Sequence, residues 1–264
     1  MLLFLACAEP VPTSGSLTVL SYNVHGLPSA ITGDDTEARL ATIGPLLEDY
    51  DLVGVQEDWM EDTHALLETT HPTQDWFDDD LSDRAYGSGL FTLARGASVE
   101  AYEEHFDACY GLIDHASDCG ASKGFQIHRV ELVEGVTLDF LNTHLEAGGS
   151  DDDTAARAVG VDQIDAAIQD FSAGQPMLFV GDLNLKWSDP EDTDLMDQIW
   201  ASGPFEDACE PDCDVDEIDH ILVRETDALS LTVTYHQVES WLDDDGVDLS
   251  DHDPVVVHID WSTE

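Results

Sequence analysis

Apolar positions along the chain follow two periods. The stretch Leu17-Thr18-Val19-Leu20-Ser21-Tyr22-Asn23 is rich in β-branched and apolar residues and reads as a strand. Over residues 36–49, Leu40, Ile43, Leu46 and Leu47 recur at helical spacing. Residues 51–56 predict the next strand and 61–70 the next helix. Strands follow at 89–94, 125–133 and 136–142, the last two joined by the short turn Glu134-Gly135. Residues 154–171 form a long amphipathic pattern, and 176–181 a short apolar run that reads as a buried strand. Strands at 218–223, 229–235 and 254–259 complete the set. Strands that alternate with helices in places and run as hairpins in others predict an α/β protein, with mixed sheets covered by helices in one domain. There is no internal repeat and no linker after Ser16.

Charge changes what such a domain can bind. The 264 residues carry 58 Asp and Glu against eight Lys and Arg, a formal net charge of −50. Hydrophobic residues at 42% and six Trp still supply a sizeable core, so the acid does not signal disorder. Polyanions are repelled and few phosphates can be neutralised, which excludes tight non-specific nucleic-acid binding. An enzyme that handles phosphate through a metal ion is not excluded. The runs Asp78-Asp79-Asp80, Asp151-Asp152-Asp153 and Asp243-Asp244-Asp245 lack EF-hand spacing and read as a solvated acidic surface suited to a salty medium. No apolar run approaches the ~20 residues of a membrane span.

Phe4-Leu5-Ala6-Cys7 resembles a bacterial lipobox, and the polar, Pro-containing stretch to Ser16 a tether, making residues 1–16 a signal remnant and linker. No basic stretch precedes it and its apolar part is shorter than the ~7–15 residues of a signal core, so an ordinary frayed terminus is the alternative. The pairs Cys109/Cys119 and Cys209/Cys213 suit two local disulfides in an oxidising compartment; a zinc site is the rival, but no His lies at ligand spacing. Together these features predict export to the periplasm, the outer surface or the medium.

Polar residues recur where the strands end: Asn23, Gln56-Glu57, Asn142-Thr143-His144-Leu145, Gly181-Asp182-Leu183-Asn184, Ile218-Asp219-His220-Ile221 and Ser250-Asp251-His252-Asp253-Pro254. Strand ends are where α/β folds build sites. Singly, each has a plain structural reading as a turn, a cap or a packed histidine. As an ordered set over residues 17–260, they resemble the endonuclease/exonuclease/phosphatase superfamily, which includes pancreatic DNase, abasic-site endonucleases, inositol polyphosphate 5-phosphatases and neutral sphingomyelinases. The resemblance implies a four-layer α/β sandwich, two packed mixed sheets flanked by helices, with residues 17–264 as the catalytic domain. It also implies Mg²⁺-dependent hydrolysis of a phosphate ester, with Mn²⁺ or Ca²⁺ as other candidate cations.

The residue types suit that chemistry. A hard divalent cation offsets the charge of a phosphodiester and of its transition state, and it prefers carboxylate oxygens. The expected metal ligands are Glu57 as principal carboxylate, Asn23 through its amide oxygen or a water, and Asp251, which either reaches the same ion or orients His252. His252 is the candidate general base. Asp182 would position the attacking water, Asn184 would hold a phosphate oxygen, and a protonated His144 would stabilise developing charge. Asp219 matches a position that supports a site histidine, with a strand-edge role as the alternative; His25 and His220 receive no role.

The segment from Phe106 to Cys109 and Asp118-Cys119-Gly120-Ala121-Ser122-Lys123-Gly124-Phe125, with Asn142-Thr143-His144-Leu145-Glu146-Ala147, looks like the neutral and bacterial sphingomyelinase branch. Lys123 would bind phosphate as a point charge, a solvent-exposed lysine being the alternative. With two Lys and six Arg, no cationic track for DNA is available, whereas a zwitterionic phospholipid headgroup needs none. The expected partner is therefore a phospholipid or other phosphodiester, with peripheral membrane contact through Trp187 or Trp241 and a monomeric state by default. The alternatives are a secreted salt-tolerant endonuclease, a small-substrate phosphatase and, outside enzymes, an inactive binding module with this fold.

Overall fold

The computed structural model describes residues 11–79, 81, 84–111 and 119–264. The Cys7 lipobox, Asp80 and Asp118 lie outside them. In chain order the elements are β1 (Ser14–Asn23), α1 (Ser29–Thr32), α2 (Thr36–Leu47), β2 (Leu52–Gln56), α3 (Glu61–His64), β3 (Thr73–Phe77), β4 (Leu90–Ala94), β5 (Ala97–His105) and β6 (Gly124–Val133). There follow β7 (Val136–His144), α4 (Asp151–Asp170), β8 (Met177–Asp182), α5 (Thr193–Ser202), β9 (Glu206–Asp207), β10 (Asp219–Arg224), β11 (Leu229–Val238) and β12 (Val255–Thr263).

The strands form two six-stranded sheets, ordered β11-β12-β1-β2-β4-β3 and β5-β6-β7-β8-β10-β9. Each mixes parallel pairs (β1 with β2, β7 with β8) and antiparallel ones. Strand alternation sorts the apolar residues into three layers of core. Leu17, Val19 and Leu52 of one sheet meet Leu138, Phe140, Leu178, Val180 and Ile221 of the other between the sheets. Leu20, Tyr22, Val53 and Val55 face outward onto Leu40, Ile43 and Leu47 of α2. Leu141, Met177 and Phe179 face Val161, Ile164 and Ile168 of α4 and Met196 and Ile199 of α5. The result is the expected four-layer α/β sandwich.

The sheets approach closely at Gly54, where an added Cβ would meet Val180 Cγ2 at 2.4 Å and Asn142 Oδ1 at 2.9 Å. Asn142 stitches them there: its Nδ2 donates to Val55 O (3.1 Å) and Phe91 O (3.3 Å), and Gln56 Nε2 donates to its Oδ1 (2.8 Å).

Several elements differ from the sequence expectation. The helix expected over 61–70 stops at His64, because Thr69 N–H donates to Gln74 Oε1 (2.9 Å) and Thr70 N–H to Glu48 Oε1 (2.6 Å), partners that compete with a continuing helix. α4 starts at Asp151, capped by Ser150, whose side chain accepts from Asp153 N–H while Asp153 accepts from the Ser150 N–H. The run Asp151-Asp152-Asp153 is thus a helix first turn, where carboxylates favour the macrodipole, and Asp153 is buried. Strands β3, β5 and β9 and helices α1 and α5 were not anticipated; β5 is a mostly exposed strand at the sheet edge with little apolar alternation to reveal it.

Candidate active site

The alternation that builds the inter-sheet core also builds the site. In β1, residues 17 and 19 point between the sheets, so Asn23 does too; in β2 the same parity carries Gln56. In β7 and β8, Leu138, Phe140, Leu178 and Val180 set a parity that brings His144 and Asp182 to the same face, side by side in parallel register. β10 runs antiparallel to β8 and pairs Asp219 with Asp182. Glu57 directly follows β2, Asn184 lies just past the end of β8, and the segment 250–252 lies shortly before β12. Glu57 and Asn184 turn through left-handed backbone, φ 64° and 49°.

Asp182 is the hub. Its Oδ2 accepts from Asn23 Nδ2 (3.0 Å) and its Oδ1 from Asn184 N–H (3.0 Å), while His144 Nε2 lies 3.4 Å and His252 Nε2 3.7 Å from Oδ2. The same Asn23 Nδ2 donates to Glu57 Oε1 (3.1 Å). Asn184 Nδ2 donates to Leu145 O (3.3 Å). His252 Nδ1 lies 2.6 Å from Asp219 Oδ2, so Asp219 is the carboxylate that orients this ring, and Asp251 faces elsewhere, its Oδ1 3.2 Å from His25 Nδ1. Ser250 Oγ donates to Asn23 O (2.7 Å) and ties the two segments together.

Electrostatics at this centre depart from the sequence expectation in three places. Burial, then the neighbouring charge of Asp219, push Asp182 up to about 7, against the opposing pull of His252, Lys123 and the Asn23 amide. Burial works against charge on His252, but the hydrogen bond and charge of Asp219, with Asp182 and Asp251 behind them, outweigh it and raise the imidazole to about 10. His252 is therefore held as an imidazolium at neutral pH, a form whose Nε2 has no lone pair to take a further proton. His144 goes the other way: burial, the Lys123 ammonium and His252 hold it well below the usual range, so it meets a ligand as neutral imidazole rather than protonated. The third departure is Asn23, whose Oδ1 accepts from His25 N–H (3.0 Å), leaving Nδ2 and not the amide oxygen facing the carboxylates.

The donor set fits a hard divalent cation. Asp182, Asp219 and His252 each offer a ligand atom within 4.8 Å of the others. Asp219 Oδ1 is buried without a hydrogen-bond donor among the described residues, and Asp182 holds its proton more tightly than an ordinary carboxyl. Glu57 and Asp251 flank this cluster. One orphaned buried oxygen within a cluster of carboxylates is a demand that a hard cation satisfies.

Lys123 is buried rather than solvent-exposed; its Nζ donates to Leu145 O (2.9 Å) and sits 3.1 Å from His144 Nε2. Both expected disulfides are formed, Cys109–Cys119 beside this segment and Cys209–Cys213 beside β9. His220, beside Asp219, points to the opposite face of β10 and pairs with buried Asp207 (2.8 Å). The two tryptophans offered for membrane contact are packed: Trp187 against Trp200 (centroids 5.4 Å) and Trp241 against Tyr22 (5.1 Å).

Two residues at the site had no role in the sequence reading. His25 stands between Asp251 and Glu57, 3.8 Å from Glu57 Oε2. Arg39 of α2 donates to Val24 O (3.1 Å), His25 O (2.8 Å) and Leu249 O (2.7 Å), clamping the two segments that carry Asn23 and Asp251. A buried-face arginine on a helix this poor in cations was the available signal.

Comparison with known proteins places this geometry. The chain is 26% identical, over 92% of its length, to a sphingomyelinase of Mycobacterium tuberculosis, and it spans about half, 52%, of that relative. Among solved structures it superposes on sphingomyelinase C from Streptomyces griseocarneus with a TM-score of 0.68 at 19% identity, covering 92% of this chain and 99% of the other. A mutant beta toxin from Staphylococcus aureus with bound magnesium ions matches at TM-score 0.69 and 16% identity, over 95% and 100% of the two chains. The model of the Endonuclease/Exonuclease/phosphatase family matches residues 20–252, the span that holds Asn23, Glu57, His144, Asp182, Asp219 and His252, and the chain belongs to this family of phosphoric ester hydrolases.

Proposed function

We propose that the protein is an exported, divalent-cation-dependent phosphodiesterase that releases the headgroup of a sphingomyelin-type phospholipid. The observation that carries the reading is the convergence on buried Asp182 of Asn23, Asn184, His144 and His252, with Asp219 behind His252 and Lys123 behind His144. Glu57 and Asp251 would hold the cation, Mg²⁺ first and Mn²⁺ or Ca²⁺ as other candidates, with Asn23 positioning Glu57 through its Nδ2 rather than ligating through its oxygen. Bound there, it supplies positive charge to the phosphoryl oxygens. Asp182 positions the attacking water. His252, in its neutral form, accepts that water's proton at Nε2 while Asp219 holds the Nδ1 side. Neutral His144 accepts from the Lys123 ammonium at Nε2 and so fixes that charge near the phosphoryl oxygens, to which the Asn184 amide donates.

Three facts support the lipid over a nucleic acid. The net charge of −50 leaves no cationic track for a polynucleotide. A zwitterionic headgroup presents one phosphate to one site. The curated relative matched over nearly this whole chain is a sphingomyelinase. Export is supported by the two disulfides. The protein acts as a monomer with peripheral membrane contact; the turn Asp243-Asp244-Asp245-Gly246 is flanked by exposed Leu242 and Val247, the apolar residues available for it near the site segment.

The test measures product release from sphingomyelin vesicles, duplex DNA and a small phosphomonoester side by side, in molar salt with Mg²⁺ and a chelator control. Chelator-sensitive phosphocholine release with intact DNA supports the proposal. Nicked DNA or phosphate release with untouched lipid replaces the substrate assignment by a nuclease or a phosphatase, and no turnover of any of the three points to a binding module.

A further inference from the structure

We propose that His25 is a nitrogen ligand of the cation site and shifts its preference from magnesium toward borderline transition cations. The inference rests on the reading that Glu57 and Asp251 hold a divalent cation. His25 Nδ1 lies 3.2 Å from Asp251 Oδ1 and 3.8 Å from Glu57 Oε2, so one imidazole nitrogen stands within reach of both carboxylates. The side chain is 23% exposed, sheltered enough to be held and open enough to be reached by an ion.

The backbone beneath it is fixed from every side. His25 N–H donates to Asn23 Oδ1 (3.0 Å), and its carbonyl accepts from Arg39 Nη2 (2.8 Å). Arg39 Nη1 holds the carbonyls of Val24 (3.1 Å) and Leu249 (2.7 Å), which couples the His25 segment to the one that delivers Asp251. On the other side, Gly26 N–H donates to Glu57 O (3.1 Å), and a Cβ at Gly26 would lie 2.2 Å from that oxygen. The His25 segment and the Glu57 backbone are therefore in direct contact. His25 itself adopts left-handed backbone, φ 49°, which a non-glycine residue keeps only when its surroundings impose it. The ring is thus presented between the two carboxylates by a clamp that already exists before any ion binds.

The chemistry follows from the donor types. Carboxylate, amide and water oxygens alone suit Mg²⁺, whereas an imidazole in the set suits Co²⁺, Zn²⁺ and Ni²⁺. Were His25 present only to hydrogen-bond Asp251, an amide in its place would serve equally and cation preference would not change.

The experiment is calorimetric titration of the chelator-treated full chain with Mg²⁺ and, separately, Co²⁺, in the wild type and in His25→Asn. Asparagine tolerates the left-handed backbone, so the variant removes the nitrogen and keeps the turn. The expected result is a Co²⁺ affinity lowered by ~10-fold or more with Mg²⁺ affinity retained. Affinities that fall together, or do not fall, overturn the role of His25 and leave the cation site standing; a wild type that binds neither ion overturns the cation reading itself. Pulsed electron paramagnetic resonance of the Mn²⁺-loaded protein gives a second measurement. A directly coordinated ¹⁴N coupling that persists in His252→Asn supports the proposal, and its absence from that protein overturns it.

Discussion

Replacing Asp219 with asparagine tests the electrostatic centre of the site at one atom pair. Asp219 Oδ2 lies 2.6 Å from His252 Nδ1 and is the strongest influence raising that imidazole, from the ordinary 6.5 to about 10 against the opposing effect of burial. At 1.36 kcal/mol per pH unit, the rise corresponds to roughly 5 kcal/mol of preference for the imidazolium, summed over three carboxylates and net of burial. A unit charge pair about 4 Å apart at an effective dielectric near 20 is worth ~4 kcal/mol, so Asp219 alone accounts for most of it. Asp219→Asn keeps the shape and an acceptor but removes the charge. The ring of His252 should then titrate between ~7 and ~8 in the cation-free protein. The shift is downward because a carboxylate stabilising the protonated form has gone. Asp182 should move down with it, since Asp219 is the neighbouring charge that raises it. The assay is the histidine Cε1–H chemical shift followed from acid to alkaline pH in chelator-treated protein, with turnover measured in parallel. Turnover should fall by ~10²–10⁴-fold, because an amide can also donate to Nδ1 and so present the wrong tautomer. A His252 titration that stays near 10 in the variant refutes the assignment of Asp219 as the orienting charge, whatever happens to the rate.

Three further perturbations probe separate links. Glu57→Gln removes the carboxylate expected to lead cation binding; Mg²⁺ affinity by calorimetry should weaken, and an unchanged affinity counts against Glu57 as a ligand. His252→Ala should cost ~10²–10⁴-fold in turnover with the circular dichroism of the native fold retained, and near-wild-type turnover sinks its place in the mechanism. Gly54→Ala forces a methyl to within 2.4 Å of Val180 Cγ2 at the close approach of the sheets. Overpacking of this kind costs ~1–3 kcal/mol and should lower the melting temperature by about 2–4 °C per kcal/mol; an unchanged melting temperature means that the sheets do not meet so tightly.

The layered fold was legible because burial on both faces leaves a strong signal. Strands β1, β2, β7, β8 and β10 carry apolar residues toward a helix layer and toward the other sheet, so they read as near-continuous hydrophobic runs bounded by turns. What escaped lies where one face meets water. β5 alternates too weakly to register, and the ten-residue α5 interleaves its buried Met196 and Ile199 with Asp194, Asp197 and Gln198. The helix start at Ser150 was masked by reading Asp151-Asp152-Asp153 as surface acid, although a serine followed three residues later by an acid is itself a helix-start pattern.

The site was legible as a set of residues and illegible as a set of charges, and the two facts have one cause. Strand parity fixes where Asn23, His144, Asp182 and Asp219 point, and parity can be read from the apolar residues that precede them. Protonation depends on what neighbouring strands and the facing segment bring alongside, which no single strand discloses. His144 and His252 both flank Asp182 Oδ2, at 3.4 and 3.7 Å, yet one is pressed toward neutrality and the other toward the cation. The difference is the partner behind each ring, the Lys123 ammonium for His144 and the Asp219 carboxylate for His252. A second positive charge beside Lys123 and His252 would be costly for an isolated histidine, so His144 stays neutral and its Nε2 accepts from the Lys123 ammonium. The three carboxylates around His252, by contrast, make its proton the charge that an incoming divalent cation competes with. On the proposed reading, cation binding and release of that proton would be coupled in sign: each carboxylate neutralised by an ion would bring His252 closer to the neutral base that the proposed attack on a phosphate ester requires.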